Sequence, residues 1–285
     1  MKIQIVRLPL LFLVLQILSG CAGMIADSFM RPAITNLQQQ TDIELVCEGT
    51  PAILLMIDSM VASDPENKDL LMTATKAFSG YAAALDACNK PHRAAMVSVK
   101  ARRYGLSLLW PNSDLHILAT LPLPDLQKRL AGLSDSDVDS LFWAGNGWGT
   151  WILHQQGTPA SLAQLIRVEQ IMLRVLELDE RYYYGAAHLF LGAYYGSKPP
   201  LLGGDFEKSR HHFERALGFS NREYLPGLVL YAETYARMSF DRELFSSLLQ
   251  EVLDFPLESR PDLGLANQLA KLKARELLGG VEEYF

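Results

Sequence analysis

The stretch from Arg181 to Leu217, RYYYGAAHLFLGAYYGSKPPLLGGDFEKSRHHFERAL, leaves the chain few choices. Up to about Tyr195 it is an apolar, aromatic run at helical spacing. Beyond Gly203-Gly204 it turns amphipathic, with Phe206, Ser209, Phe213, Ala216 and Leu217 falling on one helical face. Asp205 stands where its carboxylate can cap the free N–H groups of that second helix, and Glu207 complements the positive end of the dipole. Between the two, Pro199-Pro200 cannot continue a helix and Gly203-Gly204 let the chain reverse. Two helices that each carry an apolar face and are joined by a reversal are expected to pack antiparallel.

Leu191-Gly192 followed by Tyr195, then Ser209, Phe213 and Ala216, resembles the residue grammar of a tetratricopeptide repeat, in which small residues let two backbones approach and aromatics fill the space beside them. Similar spacing recurs elsewhere. After Ser63-Asp64-Pro65-Glu66-Asn67, where proline halts one helix and an acidic residue starts the next, Leu71, Ala74, Thr75 and Phe78 form an apolar face. Pro91 opens a partner helix with Ala94 and Ala101, but Ser98 sits in the slot where an aromatic is usual, so that repeat is degenerate. Asp42 to Ser63 reads as helix broken at Gly49-Thr50-Pro51. Leu162 to Leu178 reads as one helix, and so do Tyr224 to Met238, with Ala232 and Tyr235, and Asp241 to Phe255, with Leu244 and Leu248. Gly264 to Leu278, stopped by Gly279-Gly280, is expected to cap an open apolar end. Nothing reads as a strand. The expected fold is all-α, a superhelix of antiparallel helical hairpins over residues 41–285.

The first twenty residues form an address. Lys2 and Arg7 supply a positive start, Leu8 to Leu18 an apolar core, and Leu18-Ser19-Gly20-Cys21 the small-residue pattern of a bacterial lipoprotein cleavage site. Cys21 would carry the lipid, with residues 21–40 as lipidated cysteine and tether. Ala22 follows, with no aspartate to suggest retention in the inner membrane, so the expected location is the periplasmic side of the outer membrane. Removing residues 1–20 moves the formal net charge from −6 to −8, which argues against nucleic acid as a partner. Cys47 and Cys88 then remain, in a compartment that permits disulfides; a bond between them and two buried free thiols both fit the sequence.

Two segments invite a chemical reading. Ser134-Asp135-Ser136-Asp137-Val138-Asp139 suggests a calcium loop, but Ser140 stands where glycine is needed and Asn146 where glutamate is needed, so Ser134 and Asp137 are read as a capping pair. FWAGNGWGTWI, from Phe142 to Ile152, holds three of the four tryptophans and three glycines. Glycines inside a helix each cost about 1 kcal/mol against alanine, so they call for close helix packing, for space beside the tryptophans, or for both. Trp143, Gly147 and Trp151 recur every four residues, and we take Trp143, Gly147, Trp148, Trp151, Tyr183, Tyr184 and Tyr195 as candidate walls of a ligand cleft. His211-His212 point about 100° apart and read as solvated surface, while His188 reads as a core histidine. There is no phosphate loop, no G-x-S-x-G, no H-E-x-x-H and no paired-cysteine zinc spacing, so no enzyme activity, cofactor or metal is expected.

In order along the chain, DPEN, FWAGNGWGTWI, the Leu178 to Ala216 succession of Leu-Asp-Glu, Tyr-Gly, Gly-Gly-Asp and Phe-Glu, and DRELFSSLLQEVL resemble the T component associated with TRAP transporters. The resemblance implies a periplasmic lipoprotein of degenerate repeats that assembles as a homotrimer with a central pore. Each subunit would pair with the periplasmic solute-binding protein of a secondary transporter. The ligand expected in the tryptophan-tyrosine cleft is an apolar or organic-anion one, by the character of its walls. The competing reading is an outer-membrane tetratricopeptide-repeat scaffold lipoprotein for an envelope assembly.

Overall fold

A computed structural model describes residues 32–111 and 115–285; the expected signal segment, 1–20, and Cys21 lie outside the described residues. Among the described residues there is no strand. A short helix α1 (32–39) leads into α2 (Ile43–Ser63), α3 (Lys68–Ala87) and α4 (Pro91–Leu109). There follow α5 (Leu115–Thr120), α6 (Leu123–Ala131), α7 (Val138–Leu153), α8 (Pro159–Leu162), α9 (Leu165–Asp179), α10 (Tyr182–Gly196) and α11 (Phe206–Phe219). The last group is α12 (Pro226–Leu230) with a π-helical continuation (Tyr231–Ala236), then α13 (Arg242–Asp254), α14 (Gly264–Gly279) and α15 (Val281–Tyr284).

Short polar side chains start several of these helices. Asp42, Asn67, Asp205 and Asp241 each accept from a backbone N–H of the first turn, and Ser134 with Asp137 forms the expected capping box ahead of α7. In the α10–α11 hairpin the repeat grammar becomes contact. Gly192 lies so close to Phe213 that an added Cβ would stand 2.9 Å from its ring, the Ser209 hydroxyl donates to the Gly192 carbonyl at 2.7 Å, and Ala216 is buried. In the α3–α4 hairpin Ser98 is fully buried and donates to the Ala95 carbonyl, which satisfies the hydroxyl locally where a repeat would place an aromatic.

Packing runs from α2 through α3 to α4, skips to α7, and continues through α9, α10 and α11 to α13 and α14. One apolar cluster fills the half up to α10 and a second fills the half beyond it. The last helix does more than the expected capping. It presents Ala270, Ala274 and Leu277 to the second cluster and, on another face, Leu265 and Leu269 to Val46, Cys47 and Ala84 of the first hairpin. Gly264 meets the backbone of Gln39, where a side chain would clash with the carbonyl oxygen at 2.8 Å. The array therefore returns upon its own beginning.

Four expected boundaries are corrected. Pro51 does not break α2, because the Cys47 carbonyl that loses its helical donor is taken by the Tyr81 hydroxyl at 3.0 Å. The stretch before α9 is split by a turn after Leu162. The helix expected from Tyr224 begins at Pro226, where the buried Asn267 amide bonds both Leu225 N–H and Glu223 carbonyl, and then widens into π geometry. Finally, α10 carries a left-handed turn within its first residues.

Cys47 on α2 and Cys88 at the end of α3 form a disulfide, 41 positions apart. Closing a loop of that length stabilises a fold by about 4 kcal/mol on the chain-entropy account. Replacing both by alanine should lower the urea midpoint while leaving the circular dichroism of the folded protein unchanged; an unaltered midpoint would mean that the bond adds nothing.

Candidate functional site

Helix α7 lies at the centre of the candidate site, and its glycines set how closely the neighbours approach. A Cβ on Gly147 would lie 2.4 Å from the Ala101 carbonyl oxygen of α4, and one on Gly145 would lie 2.8 Å from both Ile171 and Met172 of α9. Gly105 completes the α4 crossing, since a Cβ there would meet the Trp143 carbonyl oxygen at 2.9 Å. Close packing is thus what these glycines provide, and the space at Gly147 is occupied by α4. Gly149 is looser, with the Phe190 ring 3.7 Å from its notional Cβ.

The remaining candidate residues fall into three groups. In the first, Trp143 is buried, donates to the Tyr182 hydroxyl at 3.2 Å, meets the Tyr183 ring edge-on at 5.0 Å and has the Lys76 ammonium 4.9 Å from its ring. Tyr184 stacks on Tyr224 at 5.4 Å, and the Arg260 guanidinium lies 5.7 Å from the centre of the Tyr184 ring. The backbone here is left-handed at three successive residues, Tyr183 (φ 47°), Tyr184 (φ 60°) and Gly185 (φ 71°). Left-handed geometry costs a non-glycine residue roughly 1–2 kcal/mol. The interlocked rings of Phe142, Trp143, Tyr182 and Tyr224 hold it, as does Arg260, itself clamped by Glu223 and Asp262. Burial pushes the Tyr183 hydroxyl up to about 12, so this phenol stays uncharged at neutral pH.

The second group joins Trp148 and Trp151 to a residue not singled out from the sequence, Arg102 of α4. Its guanidinium lies 4.2 Å from the Trp151 ring centre and 5.3 Å from that of Trp148. Trp148 is wholly buried and donates to Gln164, while Trp151 is only half-buried. Among the described residues no carboxylate pairs with Arg102, its Nε is buried without a partner, and burial lowers its pKa to about 10. A guanidinium held between two indoles with no counter-ion presents its fork to a carboxylate or phosphate. The signal that could have found it is the composition of α4, PHRAAMVSVKARRYGLSLL, which is rich in cations and contains no Asp or Glu.

Tyr195 belongs to neither group. Its hydroxyl donates to Glu169 at 2.7 Å, and its ring stacks on His212. His212 is half-buried and paired Nδ1 to Nδ1 with the buried His188 at 2.8 Å, whereas His211 is exposed as expected. The reading of His212 as solvated surface is corrected: the α11 face that carries it packs on α10. A shallow pocket of about 460 Å³ opens beside Tyr182, but Asp135, Asp139 and Asp179 line it, which suits no anion.

A family model for the TRAP transporter T-component matches residues 39–285. The chain belongs to that family. An uncharacterised protein of Treponema pallidum (strain Nichols) is 24% identical over 266 residues, 87% of this chain and 81% of that relative. The T-component is an accessory part of TRAP transport, and its family is not one of enzymes.

Gly147→Ala should cost about 1–3 kcal/mol in urea unfolding, because the α4 backbone would have to move; an unchanged midpoint would contradict the crossing. The histidine pair makes a second prediction. Burial first, and then the neighbouring His188, His211 and Lys208, hold the His212 pKa down to about 4. The folded value is below the unfolded one of about 6.5, so the stability it contributes is present above that pH and lost as pH falls towards 4. In His212→Asn the drop in urea midpoint between about pH 7 and pH 5 should be smaller than in the parent; an equal drop would remove the histidine from the account.

Proposed function

We propose that this T-component is a lipid-anchored subunit facing the periplasm that pairs with the solute-binding protein of its transporter, assembles as a homotrimer and holds an organic anion against Arg102. Membership of the family supports the transport role. The observation that carries the ligand class is the unpaired guanidinium of Arg102 between Trp148 and Trp151. The indoles suit the apolar or aromatic body of such a ligand, and the guanidinium suits its carboxylate.

The long connection between α10 and α11 suits the pairing. Its tip exposes Leu201 almost completely and Leu202 to 72%, and three backbone bonds around Pro199 and Pro200 hold the turn beneath them. Two apolar side chains on a pre-formed turn lose little entropy on docking.

Calorimetric titration of the delipidated protein with an aromatic monocarboxylate such as benzoate tests the ligand site. Arg102→Gln should weaken binding about tenfold or more, the loss of one charge-assisted hydrogen-bonded pair. Equal binding by parent and variant would exclude Arg102. Co-purification with the solute-binding protein tests the pairing separately: Leu201→Asp with Leu202→Asp should abolish it without affecting benzoate.

A further inference from the structure

The outer surface formed by α2 and α4 is apolar at its centre and basic on one side. Leu55 and Met56 of α2 are 69% and 50% exposed, and Met96 and Val99 of α4 are 63% and 49% exposed. Both helices pack on α3 and are joined where Asp58 accepts from Lys100 at 2.6 Å and from the Tyr104 hydroxyl. Leu55 lies one helical turn before Asp58, and Met96 one turn before Lys100. The outward stripe of α4 reads His92, Met96, Val99 and Arg103, spaced four, three and four, with Arg93 beside it. From Ala52 to Ser63 the exposed side of α2 adds Ser59, and the one charge there, Asp58, is paired with Lys100; the exposed Glu48 stands one turn before Ala52.

Three observations bear on what covers this face. First, α2 has a mean hydropathy of 1.6 over its best window, yet only 33% of that window is buried in the protein. Second, the chain as a whole is acidic, with a net charge of −6, but α4 contains His92, Arg93, Lys100, Arg102 and Arg103 and no acidic residue. A cationic stripe beside an apolar one, on a negatively charged protein, is complementary to anionic phospholipid. Third, α1 starts at residue 32, so the ten residues that separate it from Cys21 span at most about 40 Å. A lipid on Cys21 would hold this end of the array near the bilayer.

We propose that the exposed α2–α4 face lies on the headgroup region of an anionic phospholipid membrane. Met56, Leu55, Met96 and Val99 enter the boundary with the acyl chains while Arg93 and Arg103 meet phosphates. The N-terminal lipid then only tethers the protein, and this face sets its orientation. The orientation rests on the reading of Cys21 as the lipidated residue; the affinity of the face does not.

The test uses the mature chain with Cys21→Ser, which carries no lipid, and co-sedimentation with vesicles of phosphatidylglycerol and phosphatidylcholine in equal parts. Binding is expected to these vesicles and to be about tenfold weaker to phosphatidylcholine alone. Leu55→Glu with Met96→Glu, and separately Arg93→Glu with Arg103→Glu, should each lower it about tenfold or more. All four side chains are exposed, so unchanged circular dichroism and urea midpoints are expected of both variants. No vesicle binding by the Cys21→Ser chain, or equal binding by parent and variants, overturns the proposal. So does a change of oligomeric state in sedimentation velocity caused by the same substitutions, which would assign the face to a second copy of the chain. Binding by the Cys21→Ser chain together with a parent that carries no lipid would sustain the face and remove only the anchor.

Discussion

The structure depends on the crossing of α4 and α7. Ala101 and Gly105 on one side and Gly147 on the other bring two backbones to a separation at which no further atom fits. Helix pairs pack at a distance set by the side chains at the contact, so small residues on both partners give the closest approach that packing allows. That approach has two consequences. Thr75 of α3 also reaches Gly105 and Gly147, which ties the first hairpin to α7. It also leaves the tryptophans of α7 no room at the crossing, so Trp143 turns towards α3 and the α10 tyrosines while Trp151 turns towards Arg102.

The left-handed turn at Tyr183, Tyr184 and Gly185 follows from the same geometry. A helix running straight from α9 would not bring α10 onto both α9 and α11, and three left-handed residues redirect the chain between them. Gly185 is needed because a Cβ would meet Phe219 at 2.9 Å as well as forcing an unfavourable φ. The two tyrosines accept their strained backbone because their rings are held by several partners, Tyr184 by Tyr224 and Arg260. Strain of this kind persists only where surrounding contacts over-determine it. Those contacts bring the Arg260 loop, which precedes α14, onto the start of α10.

Much of the fold was legible because local rules sufficed for it. Proline, acidic caps and three-four spacing placed α3, α11, α13 and α14 within a residue or two, and the small-aromatic grammar of Gly192, Ser209 and Phe213 predicted a contact that is present in detail. What was not legible depends on partners distant in sequence. Pro51 stays inside a helix because Tyr81 supplies the missing donor, and the φ signs of Tyr183 and Tyr184 depend on rings from α7 and from Tyr224. The tryptophan-glycine stretch stands out in the sequence by its composition. Its periodicity could not show that Gly147 faces a backbone, or that the charge beside Trp151 is an arginine 49 positions earlier.

Helix α4 shows how one segment can serve three surroundings without an acidic residue. Its inner face, Ala94, Ser98, Ala101 and Gly105, is small and buried, since any larger residue would hold α7 away. Arg102, one residue round from Ala101, is drawn over the indoles of α7 and loses water without gaining a counter-ion. The opposite face, His92, Met96, Val99 and Arg103, remains in solvent beside the apolar side of α2. A carboxylate among these residues, three or four positions from Arg102 or Arg103, would pair with the cation and remove its unmatched charge at a gain of only about half a kcal/mol. The absence of any such residue over nineteen positions leaves Lys100 to pair with Asp58 of α2 and gives Arg93, Arg102 and Arg103 no carboxylate partner on their own helix. The two cationic sites differ in kind. Arg102 is fixed by aromatic walls and offers a single planar fork, which suits one small anion held in one orientation. Arg93 and Arg103 stand exposed beside apolar side chains, with no aromatic walls to fix them, which suits a fluid surface carrying many phosphates.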